Sequence, residues 1–284
     1  MGEKRDIWTR IIELDRRFIY IVLIFAIIFP LLVPIGVPIP ISAMSRKFYE
    51  TVEALPKGAV VGVALDVGVA TWAELGGQVI AFTKHVMRKE VKVVVWSSSP
   101  EGVMVAAQYL PKIFEAGGYK LGTDYAILSY VAGGESGIVA LAQDFQATLK
   151  KDYYGSSLSE LPITKNIKDA KDFNLIAIFE GGTQTYFYAY HWVMPFGTEI
   201  ITGATAACWS NFVPFLTVPV GDSYMLLGLL PALRGGGEYE LLTGFKGKSV
   251  AMNDMLSITH LTILTMIVLV NISYFAKRKE VKKR

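Results

Sequence analysis

The chain has 284 residues, 52% of them hydrophobic and 19% charged, with a formal net charge of +3. That balance excludes a disordered, collagen-like or highly charged nucleic-acid-binding chain. The single cysteine, Cys208, excludes an internal disulfide, a CxxC redox pair and a multi-cysteine zinc site, and His85, His191 and His260 have no HExxH spacing, so neither a metal nor a cofactor is expected.

From Phe18 to Ser45 the chain carries no charged residue. A run of this length can cross about 30 Å of hydrocarbon. The spacing predicts a helix over 15–36 that leaves as an extended Pro-rich stalk, with Pro30, Pro34, Pro38 and Pro40 stiffening or breaking the path. A cleaved signal peptide is the competing reading. It fits poorly with the acidic residues Glu3, Asp6, Glu13 and Asp15 ahead of the apolar run.

Met255 to Phe275 is the second uncharged run, with Ser257, Thr259, Thr262 and Thr265 as small or hydroxyl residues that suit helix contacts in lipid. Lys4, Arg5, Arg10, Arg16 and Arg17 precede the first run, and Lys277, Arg278, Lys279, Lys282, Lys283 and Arg284 follow the second. Both flanks are basic, which puts both in the cytoplasm. The segment 44–254 holds 17 basic and 20 acidic residues and belongs on the other side. The expected organisation is a cytoplasmic tail (1–17), a transmembrane helix and Pro-rich stalk (18–44), an extracytoplasmic domain (45–254), a transmembrane helix (255–276) and a basic tail (277–284). A third crossing over 201–221 fits by length but leaves one basic tail outside. A buried strand–turn–helix section or an apolar subunit contact is preferred there.

Within the middle, apolar runs alternate with amphipathic stretches. Ala59–Asp66, Val91–Trp96, Asp124–Val131 and Asn174–Phe179 read as strands buried on both faces. Trp72, Leu75, Val79, Phe82 and Val86 recur at helical spacing, as do Val103, Ala106, Leu110 and Ile113, and then Ile138, Leu141, Ala142, Phe145 and Leu149. Pro111 should kink or split the second helix. Residues 150–172 read as a loop with a short helix at 165–171. Tyr186–Val193 reads as helical, and Glu199–Thr205 and Phe212–Val218 as further strand-like pieces. Met225–Leu230 suits a short helix, Gly235–Gly237 a flexible joint, and 238–254 a lead into the second membrane helix. The alternation predicts an α/β fold: a Rossmann-like three-layer domain with a mostly parallel sheet, flanked by the two membrane helices.

In such sheets ligands bind beyond the carboxyl ends of the strands. Four ends are polar or glycine-rich: Asp66-Val67-Gly68, Ser97-Ser98-Ser99, Gly133-Gly134-Glu135-Ser136 and Glu180-Gly181-Gly182-Thr183. The candidate ligand-binding set is Asp66, Ser97, Ser98, Ser99, Gly133, Gly134, Glu135, Ser136, Glu180 and Thr183. The same residue types serve as ordinary helix caps, and Ser99 before Pro100 is one. Glu135 and Glu180, taken as lying at adjacent strand ends, form a carboxylate pair suited to acid/base work or a cation. No GxGxxG follows the first strand, and neither a P-loop nor a GxSxG elbow is present.

Ser99-Pro100-Glu101-Gly102 and, after the next strand, Gly133-Gly134-Glu135-Ser136-Gly137 resemble the turn and the nucleophile segment of the signal-peptide-peptidase and ClpP-like serine proteases. The resemblance implies Ser136 as nucleophile, with a lysine partner among Lys150, Lys151, Lys165, Lys168 and Lys171. Glu101 stands where that family has glycine, and Glu135 is not part of its pattern.

Tyr186, Phe187, Tyr188, Tyr190, His191 and Trp192 form the densest aromatic stretch. It suits either a stacking or sugar-binding surface or one packed face against the membrane or another subunit. His191 has no carboxylate near it in sequence and is taken as part of that packed face, while Cys208 is expected in the core. Three functions follow. The first is a membrane-anchored, non-enzymatic domain that assembles with itself or with a membrane-protein partner, with no nucleic acid involved. The second is a ligand-sensing or solute-binding module using the strand ends. The third is a membrane-bound serine hydrolase.

Overall fold

A computed structural model describes residues 7–245 and 247–283. Lys4, Arg5 and Arg284, three of the charges behind the expected topology, lie outside the described residues. The chain divides into two units, Ile39–Ser249 and the terminal segments that flank it.

The larger unit is an α/β domain around a six-stranded parallel sheet. Its strands are β1 (Val60–Asp66), β2 (Lys92–Ser97), β3 (Tyr125–Tyr130), β4 (Leu175–Glu180), β5 (Ile200–Ala204) and β8 (Gly228–Pro231). A short antiparallel hairpin, β6 (Pro219–Val220) and β7 (Ser223–Tyr224), stands apart from it. The sheet order is β3-β2-β1-β4-β5-β8. The chain therefore starts in the middle, winds out to β3, returns, and winds out the other way.

Side chains alternate between two cores, because successive residues of a strand point to opposite faces. Val61, Val63, Leu65, Val93, Val95 and Phe179 pack into one, against α4 (Val69–Arg88), α5 (Pro100–Ala116) and α11 (Ala232–Thr243). Ala64, Val94, Trp96, Ile176 and Ile178 pack into the other, against α6 (Glu135–Gln143), α7 (Phe145–Thr148) and the helical run that follows β4. Burial on both faces explains why these strands read as unbroken apolar runs.

The two outer strands, β8 and β3, are covered differently, β8 on one face and β3 along its edge. The backbone of Phe48, in α3 (Ala43–Glu53), packs directly on Gly228 of β8, where no side chain fits. On β3, Tyr153 N–H donates to the Ile127 carbonyl at 2.8 Å and Asp152 bridges Leu128. The β3 edge is therefore not left as an open pairing template.

Several sequence expectations change. Met225–Leu230 is not a helix: the chain there enters β8, and its apolar side chains are buried on both faces of the sheet. Phe212–Val218 is not a strand; it continues α10 (Trp209–Phe212) as a 3₁₀ turn over Val213–Leu216. Gly235–Gly237 is not a joint but the buried middle of α11. There the missing side chains let α11 lie against the β8 exit and α4: a Cβ on Gly235 would sit 2.6 Å from the Leu230 carbonyl carbon. Pro111 neither ends nor splits α5, which runs unbroken from Pro100 to Ala116. The short helix expected at 165–171 is a single 3₁₀ turn, Ala170–Asp172.

The terminal unit contains α1 (Ile7–Ile12), α2 (Arg16–Leu32) and all but the first residue of α12 (Ser249–Lys283). Ser249–Arg278 is long and apolar enough to cross a membrane. α2 has 17 residues, about 25 Å at helical rise, with Phe18, Ile21, Ile24, Phe25 and Leu32 exposed around it. Beyond Leu32 the chain is extended, and the buried Asp254 carboxylate of α12 accepts the consecutive N–H groups of Ile35, Gly36 and Val37, each at 2.8 Å. Gly36 has φ +74°, the left-handed conformation that turns the three amides toward one carboxylate.

Candidate functional site

The order of the sheet reverses between β1 and β4, and the ends of these strands carry carboxylates. Asp66 and Glu180 are register partners, and both alternate onto the α6 side of the sheet. Asp66 Oδ1 accepts from Ser97 Oγ (2.9 Å), Ser98 N (2.5 Å) and Ser98 Oγ (2.8 Å). Its Oδ2 is buried and has no partner among the described residues. Burial raises the Asp66 pKa, although the hydrogen bonds from Ser98 and Ser97 pull it down.

Glu180 is wholly buried and caps the next helix. Oε2 accepts from Gln184 N and Oε1 from Thr185 N, both at 2.6 Å, and the Thr185 hydroxyl also donates to Oε1. This fills the role that Thr183, at the N-cap position, leaves open: its side chain makes no capping bond. Burial pushes the Glu180 carboxyl up to about 6, and the nearby Asp66 charge pushes the same way. Tyr188 lies close enough to both charges to be raised well above its usual value, chiefly by burial, and its hydroxyl accepts from Trp96 Nε1 at 2.7 Å.

The remaining strand-end groups are also engaged within the domain. Ser99 Oγ caps α5 through Gly102 N at 3.1 Å, and Ser97 Oγ accepts from Ser99 N. Glu101 Oε1 accepts from Val69 N at 2.8 Å, at the start of α4. Here an acidic side chain occupies the helix terminus where a phosphate would otherwise be favoured. Glu74 Oε1 takes Ala206 N at 2.7 Å. Thr71, Gly181 and Thr205 come together over the reversal point, a Cβ on Gly181 standing 3.0 Å from Thr71 Cγ2.

Glu135 and Glu180 do not pair. β3 and β4 follow one another in sequence, but β2 and β1 lie between them in the sheet, which separates their ends by about 14 Å at the usual strand spacing. Glu135 instead meets His191: Oε1 lies 2.7 Å from Nε2, so this histidine does have a carboxylate partner, 56 residues away in sequence. Gly133 (φ +96°) and Gly134 (φ +57°) make the turn that starts α6 with Glu135 at its first position. The Ser136 hydroxyl donates to the Gly133 carbonyl at 2.8 Å, and no lysine or histidine among the described residues lies in hydrogen-bond reach of it. Nor does any cluster of three His, Cys, Asp or Glu side chains suited to a metal occur among the described residues.

The helical run after β4 was only partly legible. It comprises α8 (Gln184–Tyr188), a π-helical turn (Ala189–Val193) and α9 (Met194–Phe196). The aromatic stretch is therefore split rather than forming one packed face. Tyr188 and Trp192 point into the core, and Trp192 Nε1 donates to the Ile138 carbonyl at 3.1 Å. Tyr190 and Met194, one turn apart, point out and are 49% and 57% exposed. Together with Val139, Gln143, His191, Pro195 and Phe196 they line an open hollow of about 520 Å³ between α6 and the α8–α9 run. Cys208 is buried, as expected, with Sγ 3.3 Å from Thr205 Oγ1, and burial raises its pKa. No protein-family model matches the chain, and comparison with curated proteins and with solved structures gives no match either.

Proposed function

We propose that the chain is a membrane-tethered binding domain that holds a partner on the face formed by α6 and α8–α9 and performs no chemistry at its strand ends. The tether is the pair α2 and α12, both crossing the bilayer, with a Rossmann-like three-layer domain outside the cytoplasm. The exposed apolar sides of both helices, the basic flanks and the Asp254 clamp at the non-cytoplasmic ends support a two-pass reading.

One contrast carries the functional reading. At the strand ends Ser97, Ser98, Ser99, Glu101, Glu180 and Asp66 Oδ1 are turned to the backbone or hydroxyls of their own domain, and Asp66 Oδ2 alone among these groups is buried without a partner among the described residues. Around the hollow, Tyr190, Met194 and Gln143 stand exposed at the surface. A π-helical turn presents Tyr190 and His191 there, and such turns recur at functional sites. Exposed apolar and aromatic side chains around a concavity favour binding.

Cysteine protection tests the reading, since Cys208 is the only native thiol and is buried. A Met194→Cys variant should react slowly with a membrane-impermeant maleimide in native membranes and rapidly once purified. Met104→Cys, exposed on α5, should react rapidly in both. Equal reactivity of Met194→Cys in the two preparations would sink the proposal.

A further inference from the structure

The hollow between α6 and α8–α9 has a chemistry of its own, and from it we infer that the occupant is a neutral saccharide, stacked on Tyr190 and hydrogen-bonded by His191 and Gln143. The inference rests on the reading of this face as the binding surface and names what it holds.

An ionised Glu135 can only accept, so the hydrogen between it and His191 sits on Nε2. Nδ1 is left to meet a ligand, as a lone pair on the neutral ring or as an N–H on the protonated one. A hydroxyl answers either form. The Gln143 side chain, exposed on the α6 wall with no protein partner among the described residues, offers a donor and an acceptor. Hydroxyls satisfy both.

Val139, Met194, Pro195 and Phe196 complete the lining. The half-exposed Tyr190 ring meets Phe215 at right angles, centroids 6.1 Å apart and planes 84° apart, which leaves an aromatic surface at the hollow. The lining itself contains no lysine or arginine; an ammonium outside it, Lys171 Nζ, stands 6.0 Å from the centroid of the Phe196 ring. The Glu135 carboxylate stands behind His191, so an anion has no cation to bind within the lining and a like charge close by. A pure hydrocarbon would strip water from His191 and Gln143 without replacing it. A sugar ring has a C–H face for the aromatic platform and a hydroxyl rim for the two polar side chains. The volume of about 520 Å³ lies within the usual range for small-ligand sites.

Saturation-transfer NMR on the full chain in lipid nanodiscs, free of sugar detergents, tests this with maltotriose, cellotriose and chitotriose as probes. At least one should show transfer, strongest at ring C–H protons. Tyr190→Ala should weaken that binding roughly tenfold, while Tyr190→Phe, which keeps the platform, should stay close to wild type. Trigalacturonate should bind more weakly than the neutral trisaccharides. The inference is overturned by an absence of transfer from all three probes. It is equally overturned by wild-type binding in a Tyr190→Ala protein with an unchanged melting curve, or by trigalacturonate binding as tightly as the neutral probes. Protection of Met194→Cys in membranes without saccharide binding would remove the sugar and leave the binding face standing. Loss of both would remove both.

Discussion

Asp66 and Glu180 sit side by side in register at the point where the sheet order reverses, two buried carboxyls on neighbouring parallel strands. Burial raises both, Glu180 to about 6, and the Asp66 charge pushes Glu180 the same way. A carboxyl whose pKa is higher folded than unfolded makes the folded state the better proton binder. The stability it lends is complete below the unfolded value of about 4.3 and is lost as pH rises through about 6. Glu180 alone should therefore lower the unfolding free energy by up to about 2 kcal/mol between pH 4.5 and pH 7. Asp66 acts in the same direction. Urea midpoints followed by tryptophan fluorescence should show this as a contrast: from pH 5 to pH 7 the wild type should lose more, or gain less, than Glu180→Gln, because the depressed His85, Glu53 and Glu238 pull the other way in both proteins. The same pH dependence in the two proteins would contradict this.

Tyr188 and Trp96 share a buried hydrogen bond beside that pair. Tyr188→Phe leaves the Trp96 indole N–H buried without a partner, at a cost of about 1–3 kcal/mol. Tyr190→Phe, two residues on but exposed, should change stability by less than about 0.5 kcal/mol. Thermal melts of the two variants side by side would show whether the run after β4 has the two faces described.

Gly235→Ala separates a packed helix from a flexible joint. In a joint, alanine would be neutral or stabilising. In α11 its Cβ would meet the Leu230 backbone, which cannot give way as a side-chain end can. Overpacking of about 1–3 kcal/mol should then outweigh the gain in helix propensity of about 1 kcal/mol. A melting temperature at or above wild type would favour the joint.

Much of the sheet domain was readable because its strands are buried on both faces and bounded by turn residues. Ala59–Asp66 and Asn174–Phe179 are strands to within one residue at each end. The pattern fails where helix and strand look alike: Met225–Leu230 is apolar at every position, which suits a buried helix as well as β8. Strand order is not written in any local pattern. Glu135 and Glu180 therefore looked adjacent, while the true neighbour of Glu180, Asp66, lies three strands earlier in the chain. The Glu135–His191 pair was hidden for the same reason, and a π-helical turn has no periodicity signal of its own. Glu180 as a helix cap was not legible either, since it precedes Gln184 and Thr185 by four and five residues, whereas a capping side chain ordinarily reaches two or three residues on.

The Asp254 clamp makes its own forecast. Asp254→Ala removes the acceptor of three backbone N–H groups. Amide exchange at Ile35, Gly36 and Val37 should speed up by more than about tenfold, since charged hydrogen bonds contribute about 1.5–3 kcal/mol each. Exchange within β1 and β4 should be unchanged. Protection at 35–37 that survives the substitution would show that something other than Asp254 holds this segment.

The most direct test of the whole account is an electron-microscopy map of the protein extracted from its native membrane. The account predicts density seated on Tyr190, His191 and Met194, with Glu180 still bonded to Gln184 and Thr185. Density held between Asp66 and Glu180, with the Tyr190 hollow bare, would contradict it and return the working site to the strand ends.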